Sequence, residues 1–393
     1  MLNLLFFESL LIYTLFAVIM YNISIKEKKN TTSHKMPSRY VWCILIFALI
    51  SGLRWDVGTD YLGYLQTYKD MRLGLELYRT DYEKGFELIT KAFGFLHIHY
   101  SLYFAFWAFL QCYFIVKSVS EEKYHVVPYI LLLIPLSNHY IMLMNGLRQM
   151  VVACSFLWSS KFIIEKDFKK YILWVFVCSF IHITSWLLLP LYFINIFRCK
   201  WDNSFFQFII LILCAILGST PSWVTKLNIV EGFLDVLGYV RYSSQLDFIT
   251  SLDAMDSYNW GPRKYSLLFL YIILIFSSNH VKRYFESPYL ILCYIFFLLG
   301  AFTQFLFYNT SIFVRPTDYL VVFSFPVLGY TLYYYRNSGK LPQFYLLISV
   351  SFLYVLVSIY VEAGLPEDMR NSFLYQFCFS HWDIINNPIV RPH

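Results

Sequence analysis

Apolar residues gather into long runs separated by short polar connections. The runs cover 2–25, 40–53, 101–118, 126–144, 147–164, 170–182, 184–196, 204–220, 264–279, 288–308, 317–334 and 341–360. A helix crossing the hydrocarbon core of a bilayer needs roughly 20 mostly apolar residues, with its backbone polar groups satisfied inside the helix. Most of the runs are long enough to predict membrane helices. Runs 40–53, 170–182 and 184–196 are too short to stand upright across a bilayer, and 170–196 reads as a helical hairpin with His182 at its tip. The expected fold is all-α: a single polytopic membrane bundle over 1–360, with about 10–12 membrane helices including short or re-entrant ones, and a tail over 361–393. The first run lacks a basic leader and a small-x-small cleavage site, and is too long for a signal-peptide core, so it is expected to remain as a helix.

Between 54 and 100 the pattern changes. Phe86, Ile89, Phe93 and Leu96 recur at helical spacing, with Glu87, Thr90 and Lys91 on other faces. That predicts an amphipathic helix lying in the membrane interface, and it also fits a helix packed on the protein itself. The stretch 221–263 holds Tyr239, Tyr242, Tyr258 and Trp260 and is too aromatic for a slack linker; a cap or a sugar-stacking surface are both open.

Composition agrees. Of 393 residues, 58% are hydrophobic and only 14% charged, against about 25% charged in ordinary soluble chains. A disordered chain, a nucleic-acid binder and an ordinary cytosolic enzyme are excluded. Charge sets the expected orientation, because cytoplasmic loops of membrane proteins are rich in Lys and Arg. Lys26, Lys28, Lys29, Lys35 and Arg39 place 26–39 inside. Alternation then puts 54–100, 145–146, 221–263, 309–316 and 361–393 outside, and leaves an excess of Lys and Arg in the inside connections. Cysteines sit mostly in apolar runs; Cys199 is expected inside and Cys378 outside, so no structural disulfide within the chain is expected, and no pair has CxxC spacing.

Signatures of soluble enzymes are missing: there is no GxxxxGK[ST], HExxH, GxSxG or dinucleotide fingerprint, and no DxD pair. No metal site and no cofactor are expected. Chemistry must come from polar groups at the ends of membrane helices, where they are costly and therefore candidates for function. Four clusters stand out, all on the expected outer side. Arg54-Trp55-Asp56-Val57-Gly58-Thr59-Asp60-Tyr61 combines a guanidinium, carboxylates and a glycine. Arg54 there can bind a phosphate, and Asp60 can orient a sugar hydroxyl, although a turn with a helix cap explains the same residues. Asn145-Gly146-Leu147-Arg148-Gln149 puts a cation in the first turn of a helix, where the helix dipole disfavours it but an anionic ligand would suit; an arginine snorkelling to headgroups is the plainer reading. His182 is suited to proton transfer near neutral pH, or is a core histidine bonded to a neighbouring helix. Arg315-Pro316-Thr317-Asp318-Tyr319 opens a helix, and Arg315 and Asp318 can simply pair. His97, His99 and His139 are expected to be interfacial. Together the arginines suggest a cationic outer vestibule fit for a lipid-linked phosphate or diphosphate.

These residues resemble the motifs of a known family. Gly52-Leu53-Arg54, Val57-Gly58-Thr59-Asp60-Tyr61 with Tyr64, Tyr82-Glu83-Lys84-Gly85-Phe86, Asn145-Gly146-Leu147-Arg148-Gln149, Phe180-Ile181-His182-Ile183-Thr184-Ser185, and Arg315 with Tyr319 and Pro326 resemble the EpsG family, in order, over about residues 50–330. Thr184 departs from it, since a small residue or Pro is usual there. The resemblance implies a bacterial exopolysaccharide, capsule or O-antigen polymerase of Wzy type. Such a polymerase joins oligosaccharide repeat units carried on undecaprenyl diphosphate at the outer face of the plasma membrane, with an architecture like the C-type membrane glycosyltransferases. Expected partners are the lipid-linked oligosaccharide, membrane lipid and other assembly proteins such as a chain-length regulator, with no nucleic acid.

On this reading His182 is the general base on the acceptor hydroxyl and Arg148, Arg315 and Arg54 stabilise the departing diphosphate. Asp60 holds the acceptor or polarises His182, while Tyr61, Asn145, Gln149 and Tyr319 complete the substrate site. One displacement predicts inversion at the anomeric carbon. A flippase for the same lipid-linked oligosaccharide would want its cations along a path reaching both faces. An integral-membrane O-acyltransferase would need a polar motif on the inner loops, and none is visible.

Overall fold

The structure is a computed structural model that describes residues 4–25, 36–75, 82–120, 126–195, 203–219, 261–308, 311–365 and 373–382. Helices form nearly all of it. Helix α1 (Leu4–Ile25) is followed by α2 (Ser38–Gly52), a short strand β1 (Arg54–Trp55), α3 (Tyr61–Leu73), α4 (Lys84–Phe95) and α5 (Tyr100–Ser120). Next come α6 (Val127–Leu133), α7 (Asn138–Asn145), α8 (Leu147–Ser159), α9 (Lys161–Ile164) and α10 (Phe168–Ser179), and then a 3₁₀ segment, Ile183–Asn195. The chain ends with α11 (Ser204–Gly218), α12 (Pro262–Phe285), α13 (Pro288–Leu306), α14 (Ser311–Val321), α15 (Ser324–Asn337), α16 (Leu341–Ala363) and strand β2 (Gln376–Phe377).

Among the described residues, six helices are long and apolar enough to cross a membrane: α1, α5, α8 continued by α9, α12, α13 and α16. The pair α6 and α7 makes a seventh if it is taken as one span bent by 80°. The protein is therefore a multi-pass helical membrane protein. The expected single helix over 126–144 breaks at Pro135, which lacks an N–H and cannot continue the ladder; Ser137 then caps α7 through the His139 N–H. The run 317–334 also breaks, at Val322–Phe323, four residues before the ring of Pro326. The hairpin over 170–196 forms, with its second arm wound as 3₁₀ helix. Tyr171 donates to the Leu188 carbonyl (2.7 Å) and Ser185 to the Val175 carbonyl (3.3 Å), tying the arms together.

Several polar side chains within the bundle find partners on neighbouring helices. Tyr271 donates to Gln304 (2.8 Å), Tyr294 to Gln207 (2.6 Å) and Gln111 to the Leu143 carbonyl (2.9 Å). His139 is part of this set. It is buried between Ser137 and Ser324, 2.6 Å from the latter, so it is a core histidine and not interfacial. The break before α7 turns it inward.

The segment 373–382 straps one end of the bundle. Strand β2 pairs antiparallel with β1, Arg54 opposite Phe377. The Tyr375 N–H donates to Ser9 of α1 (2.8 Å), the Phe373 N–H donates to Glu362 of α16, and Trp382 stacks on His99 at 3.8 Å. Cys378, expected to face out, is buried by this pairing; the described cysteines are all free. Most of the basic loop 26–39, Cys199 and most of 221–263 lie outside the described residues.

Helix α4 buries Phe86, Thr90 and Gly94 against α3 and α5, with the Phe86 ring tilted against Trp107 (5.6 Å) and Phe93 edge-on to Tyr103 (5.7 Å). Leu88, Phe95 and Leu96 stay exposed.

Candidate active site

The polar clusters read from the sequence meet at the strapped end. Gly58 makes the first junction. Its φ of +97° suits glycine, and a Cβ there would lie 3.0 Å from the Met144 carbonyl oxygen. The turn before α3 thus lies flat on the end of α7. Asn145 accepts there from the Thr59 hydroxyl (2.6 Å) and from the Asp60 N–H (3.0 Å). Gly85 makes the second. The N–H groups of Gly85 and Phe86 donate to the Phe180 carbonyl (2.8 and 3.2 Å), and a Cβ on Gly85 would meet that oxygen at 2.7 Å. This close approach joins the start of α4 to the hairpin tip and sets Glu83 beside His182.

Glu83 is the centre of the cluster, and the sequence reading did not select it as a site residue. One carboxylate oxygen takes the Arg148 guanidinium in an ion pair. The other lies 2.8 Å from His182 Nδ1 and accepts from the Ile183 N–H at 3.1 Å. Arg148 is also flanked by the rings of Tyr82 (5.1 Å) and Phe86 (5.0 Å) and bonded to Tyr64. Arg315 lies nearby, with Nη2 3.5 Å from Asp60 Oδ2 and its carbonyl accepting from Gln149. The Tyr319 hydroxyl bonds Thr184 (2.7 Å), fastening α14 to the hairpin.

Exposure separates these charges. The side chains of Arg148 and Glu83 are 8% and 11% exposed, that of His182 16%, and that of Arg315 50%. Arg315 and Asp60 are therefore the more exposed pair, at the mouth of the cluster, and Glu83, Arg148 and His182 are the more buried group, within reach of the Arg315 charge. His182 Nδ1 is taken by Glu83, and Nε2 has no hydrogen bond among the described residues. When Nδ1 carries the proton it donates to Glu83, the Nε2 lone pair is left open. Burial lowers the pKa of His182, and Arg148 and Arg315 add to this; together they outweigh the opposing pull of Glu83, so the ring is neutral at pH 7. Burial alone would raise Glu83, but the His182 bond and the Arg148 charge overcome it and hold the carboxyl down at about 2.

Two expected site residues stand elsewhere. Arg54 is fully buried, its guanidinium donating to the carbonyls of Ser51, Val57 (3.2 Å) and Met144 (3.4 Å) and packed on the rings of Tyr61 and Phe104. Carbonyls satisfy it, and no face is left for a diphosphate, so Arg54 is a structural arginine. Tyr61 is likewise buried, stacked on Phe104 at 4.6 Å and donating to the Arg54 carbonyl at 3.0 Å. The carboxylate on His182 is Glu83; Asp60 pairs with Arg315 instead. No local spacing joins Glu83 to residues 65 and 99 positions downstream. Its one trace in the sequence was its place in the Tyr82–Phe86 motif. No group of three or more His, Cys, Asp or Glu stands together among the described residues.

No curated protein and no solved structure matches the chain. The model of the EpsG family matches residues 39–377, which takes in every residue of the cluster. The chain therefore belongs to the EpsG family.

Proposed function

We propose that the protein is a polysaccharide polymerase of Wzy type, a membrane glycosyltransferase that joins oligosaccharide repeat units carried on undecaprenyl diphosphate. The observation that carries this reading is an imidazole whose Nδ1 is held by Glu83, with Nε2 open, in the field of Arg148 and the half-exposed Arg315. The acceptor hydroxyl oxygen attacks the anomeric carbon of the donor while its proton passes to His182 Nε2. The bond from that carbon to the diphosphate oxygen breaks, and the lipid diphosphate leaves with inversion. Arg315 meets the negative charge that develops on the diphosphate, and Arg148 adds to the positive field. Asp60, at the mouth, holds an acceptor hydroxyl. Family membership supports the reaction class. The basic connections 280–287 and 335–340 lie at the far ends of α12 and α15 from the cluster and support a site facing the outside of the plasma membrane. The product would serve an exopolysaccharide, a capsule or an O-antigen, with a chain-length regulator as a partner in assembly.

The test is reconstitution. Purified protein in liposomes, given one lipid-linked repeat unit and no nucleotide sugar or acyl-CoA, is expected to build a ladder of longer glycans. Transfer of the lipid-linked unit between leaflets without elongation would point to a flippase and end the proposal, as would a covalent glycosyl-enzyme with net retention.

A further inference from the structure

Glu83 touches no reacting atom in this scheme, yet it bonds the two groups on which the chemistry depends. It is held on three sides. The Arg148 guanidinium takes one oxygen, His182 Nδ1 and the Ile183 N–H share the other, and the Gly85–Phe180 contact fixes the backbone on either side. A carboxylate so bonded accepts and does not donate. The imidazole must therefore present its N–H at Nδ1 and its lone pair at Nε2. The same carboxylate neutralises Arg148, which would otherwise be a buried cation without a counterion beside a base.

We propose that Glu83 is a positioning residue of the reaction: it selects the His182 tautomer with Nε2 open, aims that nitrogen at the mouth, and anchors Arg148 next to it. The charged groups facing His182 are Glu83 from the start of α4, Arg148 from α8 and Arg315 from α14, with Asp60 before α3 behind Arg315. Of these, Glu83 raises the basicity of His182 and the two arginines lower it. That effect on basicity is present whatever else Glu83 does, so the tautomer of His182 is what separates a positioning Glu83 from a structural one. The inference also rests on the general-base reading of His182.

Glu83→Gln keeps the shape and one acceptor but removes the charge. The acid limb of the kcat/KM profile is expected to move to lower pH, because His182 loses its stabilising anion, and the plateau is expected to fall at least about tenfold. An unmoved limb with a uniformly lower rate would uncouple Glu83 from the base and overturn the proposal. A second readout needs no activity. In the full chain in nanodiscs with ¹⁵N-histidine, the His182 signals, identified by their loss in His182→Gln, are expected to show protonated Nδ1 and bare Nε2. The double variant Glu83→Ala with Arg148→Ala removes both partners without stranding a buried charge, and is expected to let the other tautomer appear. The same tautomer in wild type and double variant would overturn the proposal. If the wild-type protein builds no ladder, the polymerase reading fails, and the tautomer measurement still decides what Glu83 does.

Discussion

Two arginines at the same end of this bundle, Arg54 and Arg148, are both buried and both packed on a pair of aromatic rings. They differ in what completes them. Arg54 is surrounded by backbone carbonyls of Ser51, Val57 and Met144, neutral acceptors supplied by the fold itself. Arg148 faces an ionised carboxylate that also holds an imidazole, near an exposed Arg315. A guanidinium satisfied by carbonyls joins chain segments. One balanced by a titratable network can respond to an anion or a proton. Both arginines look alike in the sequence, each two residues after a glycine at a helix end, and the partners alone tell them apart.

Mutation should split the pair. Arg54→Ala leaves several buried carbonyls without donors and a cavity between rings. It is expected to cost about 3–5 kcal/mol of stability, read as a lower unfolding temperature and poor recovery from the membrane. His182→Ala should weigh the other way, with elongation falling by about 10²–10⁴ and the unfolding temperature lowered far less than by Arg54→Ala. Full activity in His182→Ala would remove the base from the scheme.

Arg315→Gln tests the open arm of the comparison. Its side chain is half exposed, so stability is expected to stay within about 0.5 kcal/mol while elongation falls at least about tenfold. An Arg315→Gln variant with normal ladders would leave the diphosphate without its proposed contact.

Acidity sharpens the comparison further, since Arg148 is balanced by titratable groups and Arg54 by carbonyls. His182 sits below its usual range because of burial and the two arginines, which outweigh Glu83, so a base there is neutral at neutral pH. Activity is expected to be flat through neutral pH and to fall only on acidification. Glu83, held at about 2, adds stability above the ordinary carboxyl range, and this is lost as pH falls through about 2. A rate still climbing between pH 7 and 8 would contradict the depressed imidazole.

The smallest effect belongs to the fastening of the hairpin. Tyr319→Phe removes one hydrogen bond to Thr184 and is expected to cost about 1 kcal/mol of stability with a modest loss of rate. A loss as large as that of His182→Ala would make Tyr319 a participant and not a fastener.

Much of the architecture was legible along the chain. Run length and the bilayer constraint predicted helices where α1, α5, α8, α12, α13 and α16 stand, and the shortness of 170–182 and 184–196 predicted the hairpin. The breaks at Pro135 and before Pro326 are local backbone effects that the hydrophobic pattern passes over. His182, Arg148, Arg315 and Asp60 were picked out because charges at helix ends are costly, and they do converge. Arg54 meets the same criterion and turns inward, as does Tyr61, which its motif alone marked.

By itself the sequence determined that this chain lives among lipids, which of its segments are helical, and which polar residues deserved suspicion, because those follow from composition and local period. Tertiary structure alone decided the pairing. Glu83 reaches His182 and Arg148 because Gly85 lets α4 press against the hairpin tip, and no rule of spacing carries an interaction across 65 or 99 residues. Whether a buried charge is scaffold or chemistry depends on the partners that folding brings to it, and those partners lie far away in the chain.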